Sequence, residues 1–490
     1  MSKPPEKTQI LVIGGGPGGA VSATLLARAG YDVTLLEQSR FPRYHIGESL
    51  LPSILQIMDL IGAREKFEAF GFQRKLGAYL EWGQERWPLN FGELGGNNTY
   101  AFQVVRSEFD HLLLEHARSQ GVNVFEEVEV RELAFENGRP VSATYQRKSA
   151  TQNNGQSLGK IYFDYLVDAS GRASVMTTRY LRNRRYHKVF QNIALWGYWK
   201  DANRMATGRE GDIAVSSISN GWLWAIPLHD GTMSVGVVMH RDSLPKKQSV
   251  ELTKIYEKAI SESKLITSVI GPAELVSDIH SETDYSYTSD QFSGPGFFLV
   301  GDAACFLDPL LSSGVHLATF SGMLAAASII SLLSGEVEEE EAITFFEKSY
   351  RQAYLRFLVF LSAFYDINRG KESYFWEAQR LTEQDIDSSN LKQAFLRLVT
   401  GLKDLTDAQS DTHHLVLQEM SKRIDENLHL RQDKEKLASL DNETQQAAES
   451  NANFFSSVEG IFSLNQEEAI DGLYVSTDPR LHLARLVETV

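Results

Sequence analysis

The chain has a single cysteine, Cys305, among its 490 residues. One thiol cannot close an intramolecular disulfide or build a cysteine-rich metal site, so a reducing cytoplasm is the expected setting. Cys305 lies inside GDAACF and reads as a small buried packing residue. Histidine does not fill the gap. His413 and His414 are adjacent on a predicted helix and diverge, His316 starts another helix, and no metal is expected. Positive charge is also scarce. A net charge of −16 disfavours a nucleic-acid backbone or an anionic membrane as partner, because both need a positive face. The start, MSKPPEKTQ, has no apolar signal core, and the longest mainly apolar run, about residues 323–333, is shorter than a bilayer span. No repeat of fixed period is present.

What remains is an ordinary globular composition, 42% apolar and 23% charged, long enough for two or three domains. Residues 8–13 (TQILVI) read as a buried strand. GGGPGG and a helical pattern follow, so Gly14, Gly16 and Gly19 fit G-x-G-x-x-G between strand and helix. That arrangement gives a tight turn, close backbone approach to a pyrophosphate, and close helix packing, with phosphates at the positive helix end. A second strand ends at Glu37, at the spacing of a carboxylate that accepts from a ribose hydroxyl. Farther on, YLVDASGR and GPGFFLVGDAACFLD deliver small-residue turns after strands. Asp302 is placed to accept from the ribityl hydroxyls of a flavin.

Taken in order, GxGxxG, DASGR and GDA resemble the FAD-dependent aromatic hydroxylase class. FPRYHIGESLLP, with Arg43 and Glu48, and VVRSEFD, with Arg106, match it too. The resemblance implies FAD contacts for these three residues; surface salt bridges are the other reading of the arginines. Only one nucleotide fingerprint is present, which points to an external flavin reductase. The implied fold is α/β: a Rossmann-like FAD-binding monooxygenase fold, with an interleaved antiparallel substrate-side sheet and a C-terminal, mainly helical region. The expected core is 1–335, with the sheet at about 72–105 and 185–295, and the helical region is 336–490, opened by the acidic EVEEEEA. A polar tract at about 432–453 reads as a linker.

Three further stretches resemble the flavin-dependent halogenase family. The first is GWLWAIPL, which carries W-x-W-x-I-P at Trp222, Trp224, Ile226 and Pro227. Residues two apart on a strand share a face, so both indoles form a wall, which in that family is thought to keep substrate from the flavin. The second is FQRKLGA, which resembles F-x-x-K-x-G and makes Lys75 the catalytic lysine. A desolvated amine has a lowered pKa. It can then carry chlorine as a chloramine or, as an ammonium, hold hypochlorous acid. The third is FLDPLLSSGVH, which resembles F-x-D-P-x-x-S-x-G. Asp308 and Pro309 are implied beside the flavin ring, and the amides of Ser313 and Gly314 would bind halide.

One departure bears on substrate. Tryptophan-specific members carry a glutamate two residues before the position of Ser313, and this chain has Leu311. The resemblance therefore implies a phenol or pyrrole ring, free or tethered to a carrier protein. Reduced FAD from a partner reductase, O2, and chloride or bromide are the implied co-reactants. A basic run, Arg182, Arg184, Arg185 and Lys188, reads as a solvated strand edge or as a dock for an acidic carrier protein. The alternatives left open are an aromatic hydroxylase or related flavin reductase, and a non-catalytic flavin-binding scaffold.

Overall fold

The computed structural model describes residues 3–366, apart from 83–84, 92–98, 148–157, 206–207 and 244–251, together with residues 470–485. The short apolar runs become a six-stranded sheet in the order Ser293–Gly294, Phe297–Leu299, Tyr165–Asp168, Ile10–Ile13, Val33–Leu36, Asn123–Phe125. All residues of Ile10–Ile13 and Val33–Leu36 are buried. Burial on both faces is why these strands read as continuous apolar runs rather than alternating ones. Ile10 pairs in parallel with both Val33 and Tyr165, so the turn after Ile13 lies at the carboxyl edge of the sheet, where ligands bind in open α/β folds.

A nine-stranded sheet stands beside it. Its main path runs Cys305–Phe306, His280–Ser289, Arg184–Lys200, Thr232–His240, Gly221–Pro227, Ile213–Ile218, Gly77–Trp82, Glu85–Asn90. Gly221–Pro227 and Thr232–His240 form the expected hairpin, pairing Trp222 with Val238 and Trp224 with Gly236. Every residue of Gly221–Pro227 is buried, because both faces are covered. Trp222, Trp224 and Ile226 face the main core, whereas Leu223 and Ala225 join a second core under the helices Leu252–Glu262 and Lys264–Ile270.

The helix Ser313–Leu333 corrects the reading of residues 323–333 as a short apolar run. It is long and apolar enough by length and composition to cross a membrane, yet most of it is buried inside the protein, packed against Pro17–Arg28. It is apolar all round because protein surrounds it. The acidic run at 338–341 supplies the first turn of Glu339–Asp366, where negative charge suits the helix end. Glu339 pairs with Arg139 at 2.7 Å. The main core continues through Phe345, Tyr350 and Phe357 to Leu361 with no break at residue 335, since this helix buries its aromatic face there. The described chain closes with a hairpin, Leu473–Ser476 and His482–Arg485, docked by Leu483 N–H on Ser331 Oγ at 2.7 Å. That hairpin was not among the expected elements, since residues 336–490 read as mainly helical. Residues 367–469, including the expected linker and His413 and His414, lie outside the described residues.

Candidate active site

A cavity of about 510 Å³ opens where the carboxyl edge of the parallel sheet meets the inner face of the antiparallel one. Gly14, with φ of +102°, makes the turn into it, and a Cβ there would sit 2.3 Å from the Ala169 carbonyl oxygen. Pro17 in the first turn starts the helix Pro17–Arg28. Gly16 and Gly18 line the cavity, so the unpaired N–H groups of this helix end face it. Gly19 packs on the turn, with Gly14 O 2.1 Å from where its Cβ would be.

Glu37 is buried and lines the cavity. Its oxygens accept from Gly15 N–H and Ser39 N–H, each at 2.7 Å, which fixes the carboxylate while leaving lone pairs for a ribose. The two arginines also line the cavity and share a single carboxylate, so the group keeps a net positive charge there. Buried Asp110 takes Arg106 Nε and Nη2 at 2.9 and 3.0 Å and lies 3.2 Å from Arg43 Nη1. Arg106 Nη1 holds the carbonyls of Ile46 and Gly47. Arg106 thus organises the segment that carries Glu48. Asp302 lines the cavity, and Arg172 Nε is 4.0 Å from its carboxylate.

Asp308 departs from the expectation of a place beside the ring. It is buried, caps the turn Pro309–Leu311 through Leu310 N–H at 3.0 Å and accepts from Asn192 Nδ2 at 2.8 Å. Pro309 lines the cavity; Asp308 is absent from its lining. The glycine cradle, the free amides of the helix end and a buried Glu48 Oε2 with no hydrogen-bond partner among the described residues together fit an FAD.

The sheet forms the opposite wall. Trp222 and Trp224, ring centroids 5.7 Å apart, line the cavity with Ile226; Pro227 ends the strand behind them. Sequence reading missed the reason Trp224 fits. It lies across Gly236, where any Cβ would be 2.1 Å from the indole, and its Nε1 donates to Ser234 Oγ at 3.2 Å.

Lys75 ends the short strand Gln73–Lys75, and only 2% of it is exposed. Nζ donates to Ser49 Oγ at 2.8 Å and to the Leu50 carbonyl at 3.1 Å, and lies 5.4 Å from the centre of the Phe91 ring. Burial pushes the amine down to about 7, opposed by the Asp212 carboxylate. Asp212 is itself held by Arg209 and by Leu76 N–H. Lys75 does not line the cavity; Ser49 and Glu48 do. At the third stretch, Ser312 adopts φ of +55° and turns the chain into Ser313–Leu333. Ser313 is buried and Gly314 lines the cavity, with their N–H groups in the unpaired first turn.

Some expected features are already occupied elsewhere. Arg184 stacks over Tyr287 at 4.0 Å, keeping its charge, and Arg185 pairs with Asp290 at 2.5 Å; the side chain of Lys188 lies outside the described residues. Cys305 is buried with Sγ 3.4 Å from Tyr350 Oη, and burial pushes its thiol up. His316 Nδ1 meets Ser53 Oγ at 2.9 Å. Among the described residues no cluster of three potential ligands could hold a metal.

The sequence matches the tryptophan halogenase family over residues 9–99 and 95–429. It is 44% identical to a tryptophan 2-halogenase of Chondromyces crocatus over 99% of this chain and 95% of that one. Flavin-dependent halogenase ascD of Acremonium egyptiacum is 41% identical, over 81% of this chain and 73% of its own length. Among solved structures, the myxobacterial chondrochloren halogenase CndH superposes with a TM-score of 0.69 at 37% identity, covering 82% of this chain and 92% of that one. The chain therefore belongs to the tryptophan halogenase family: it is a flavin-dependent halogenase that uses FAD, O2 and halide on an aromatic substrate, with reduced flavin drawn from a separate reductase.

Proposed function

We propose that this halogenase passes oxidised halide from the cavity to Lys75, which delivers it to an electron-rich phenol or pyrrole ring. One observation carries the reading: Lys75 Nζ is buried and hydrogen-bonded to Ser49, whose residue lines the cavity. Bound reduced FAD with O2 supplies the oxidising equivalents. Gly14, Gly16, Gly19, Glu37, Asp302 and Pro309 hold the cofactor, and Arg43, Arg106 and Glu48 bound it. The amides of Ser313 and Gly314 hold halide at the positive helix end. Trp222, Trp224, Ile226 and Pro227 keep the ring away from the flavin. Lys75 then orients or carries the halogen, its lowered basicity giving access to both the neutral and the charged amine near neutral pH. Enclosure excludes water and protects methionines from released hypohalous acid.

Leu311, apolar where tryptophan-specific members have a carboxylate, supports a ring that is already activated, free or bound to a carrier protein. The tryptophan 2-halogenase relative favours an indole as second reading. We place the enzyme in the cytoplasm, acting on neither nucleic acid nor membrane. The test supplies purified protein, FAD, a flavin reductase, NADH and chloride or bromide with phenols, pyrroles and tryptophan, free and carrier-bound, and reads products by mass spectrometry. Halogenated phenol or pyrrole supports the first reading. Halogenated tryptophan alone overturns it for the second, and halide-independent oxygenation overturns both.

The wall gives its own expected outcome. Trp224→Ala and Gly236→Val, which drives a branched side chain into the indole, should lower halogenated product per flavin oxidised by about tenfold and let oxygenated product appear. A tenfold change corresponds to about 1.4 kcal/mol in competing barriers. Product ratios identical to the wild type would remove the barrier role.

A further inference from the structure

Halide oxidation has a proton requirement that the site must meet. Reduced flavin, O2, halide and one proton give oxidised flavin, hypohalous acid and water. O2 accepts four electrons, two from the flavin and two from the halide. The O–O bond breaks, one oxygen leaving in hypohalous acid and the other in water. Ring halogenation then exchanges a ring proton for halogen and releases a second water, with no net proton change. Each turnover therefore draws one proton into the cavity.

We infer that Glu48 donates this proton, and that Tyr198 and Tyr44 resupply it from solvent; the inference rests on the halide-oxidation reading of the site. Glu48 is 2% exposed and lines the cavity. Its Oε1 accepts from Tyr198 Oη at 2.7 Å. Its Oε2 is buried and makes no hydrogen bond within ordinary geometry among the described residues, although the Ser234 hydroxyl acts on the same carboxyl; Oε2 is the oxygen left to carry a transferable proton. Tyr198 Oη lies 2.9 Å from Tyr44 Oη. Trp196 Nε1 donates to Tyr44 Oη at 2.6 Å, so Tyr44 keeps its own hydrogen for Tyr198. Tyr44 is 52% exposed and itself lines the cavity, so it meets water at the open side of the cavity. With Tyr198 donating to Glu48, the Tyr44–Tyr198 bond, which either hydroxyl could donate, runs inward as well. As Oε2–H gives up its proton, Tyr198 reprotonates Oε1, Tyr44 reprotonates Tyr198, and water reprotonates Tyr44; rotation of the carboxyl then returns the new proton to the Oε2 side.

The surroundings keep the carboxyl protonatable near neutrality. Burial pushes Glu48 up to about 7, against the Ser234 and Tyr198 hydroxyls and the Arg106 guanidinium, with Asp230 from the hairpin turn adding to the rise. Asp110 engages Arg106. His280 stacks on Tyr44 with centroids 5.1 Å apart, and Glu282 adds negative charge beside Tyr44. None of these residues forms a contiguous motif, so the line is visible only in three dimensions.

The test compares Glu48→Gln, Tyr198→Phe and Tyr44→Phe with the wild type, using added reduced FAD, bromide and a diffusible trap for hypohalous acid, with hydrogen peroxide measured in parallel. FAD affinity is followed by fluorescence, to separate cofactor loss from proton loss. Glu48→Gln and Tyr198→Phe should lower halide oxidation by about 10²-fold, the size of a lost general acid, and divert oxygen to hydrogen peroxide. Tyr44→Phe should lose about tenfold, since water can reach Tyr198 in its place. Lys75→Ala should instead keep halide oxidation and lose transfer to the ring. An independent readout uses the cofactor-free protein. Infrared titration should show a carboxylic-acid band that disappears near neutral pH, is absent in Glu48→Gln and is displaced in Tyr198→Phe. Unchanged halide oxidation in Tyr198→Phe, or no such band lost in Glu48→Gln, overturns the inference. A wild type that gives the trap nothing brings down the reading of the site itself.

Discussion

Lys75→Ala is expected to abolish ring halogenation, by at least about 10²-fold in product formed, while FAD binding stays within about twofold of the wild type. The residue lies outside the cavity lining and touches it only through Ser49, so its loss should not disturb the cofactor. Lys75→Arg should fail as well, because a guanidinium stays charged at every accessible pH and is too large for a buried slot between Ser49 and Phe91. Stability offers a second measurement with a definite sign. The folded amine sits near 7, below its ordinary 10.5. The folded state therefore binds fewer protons than the unfolded one between those values, and stability rises with pH across that window. Lys75→Met removes the penalty. In the cofactor-free protein it should be more stable than the wild type below pH ~7, by on the order of 5 kcal/mol, with the gap closing toward pH ~10.5. Urea unfolding at several pH values checks this, and a gap independent of pH would mean that the amine is charged and satisfied where it lies.

Gly14→Ala should cost both cofactor and fold. At φ of +102° any L side chain is strained, and its Cβ would lie 2.3 Å from the Ala169 carbonyl oxygen. Strain of this kind costs about 1–3 kcal/mol, and relief of the overlap must separate Ile10–Ile13 from Tyr165–Asp168 at the point where both deliver their turns to the cavity. FAD affinity should fall by about 10²-fold, the equivalent of roughly 3 kcal/mol, with a lowered melting temperature. Fluorescence titration and thermal unfolding measure the two effects. Wild-type FAD affinity in this variant would mean that the turn does not bear on the cofactor.

The parts of the site legible in the chain are those made by contiguous backbone. Gly14, Gly16 and Gly19 form a turn and a helix end, and Ser313 and Gly314 lie in a helix first turn, so the local sequence suffices to place them. The tryptophan wall was legible for a similar reason, since a strand puts Trp222 and Trp224 on one face whatever surrounds it. Side chains that depend on distant partners were not. That Arg43 and Arg106 share Asp110 was not legible from their own stretches. Asp308 looks like a flavin contact until Leu310 N–H and Asn192 occupy its oxygens. Gly236 has no evident purpose until Trp224 lies across it.

Sequence alone determined the nucleotide fold and the order of its turns, because each is written in a short periodic or glycine-defined stretch; Lys75 and the indoles were picked out by their resemblance to the family's motifs. Only the tertiary structure decided how basic Lys75 is, which charges remain free at the cofactor and how Glu48 reaches solvent. Those properties arise from burial and from partners brought together across the fold, such as Lys75 with Ser49 and Glu48 with Tyr198. Local sequence carries neither the desolvation nor the geometry that sets them.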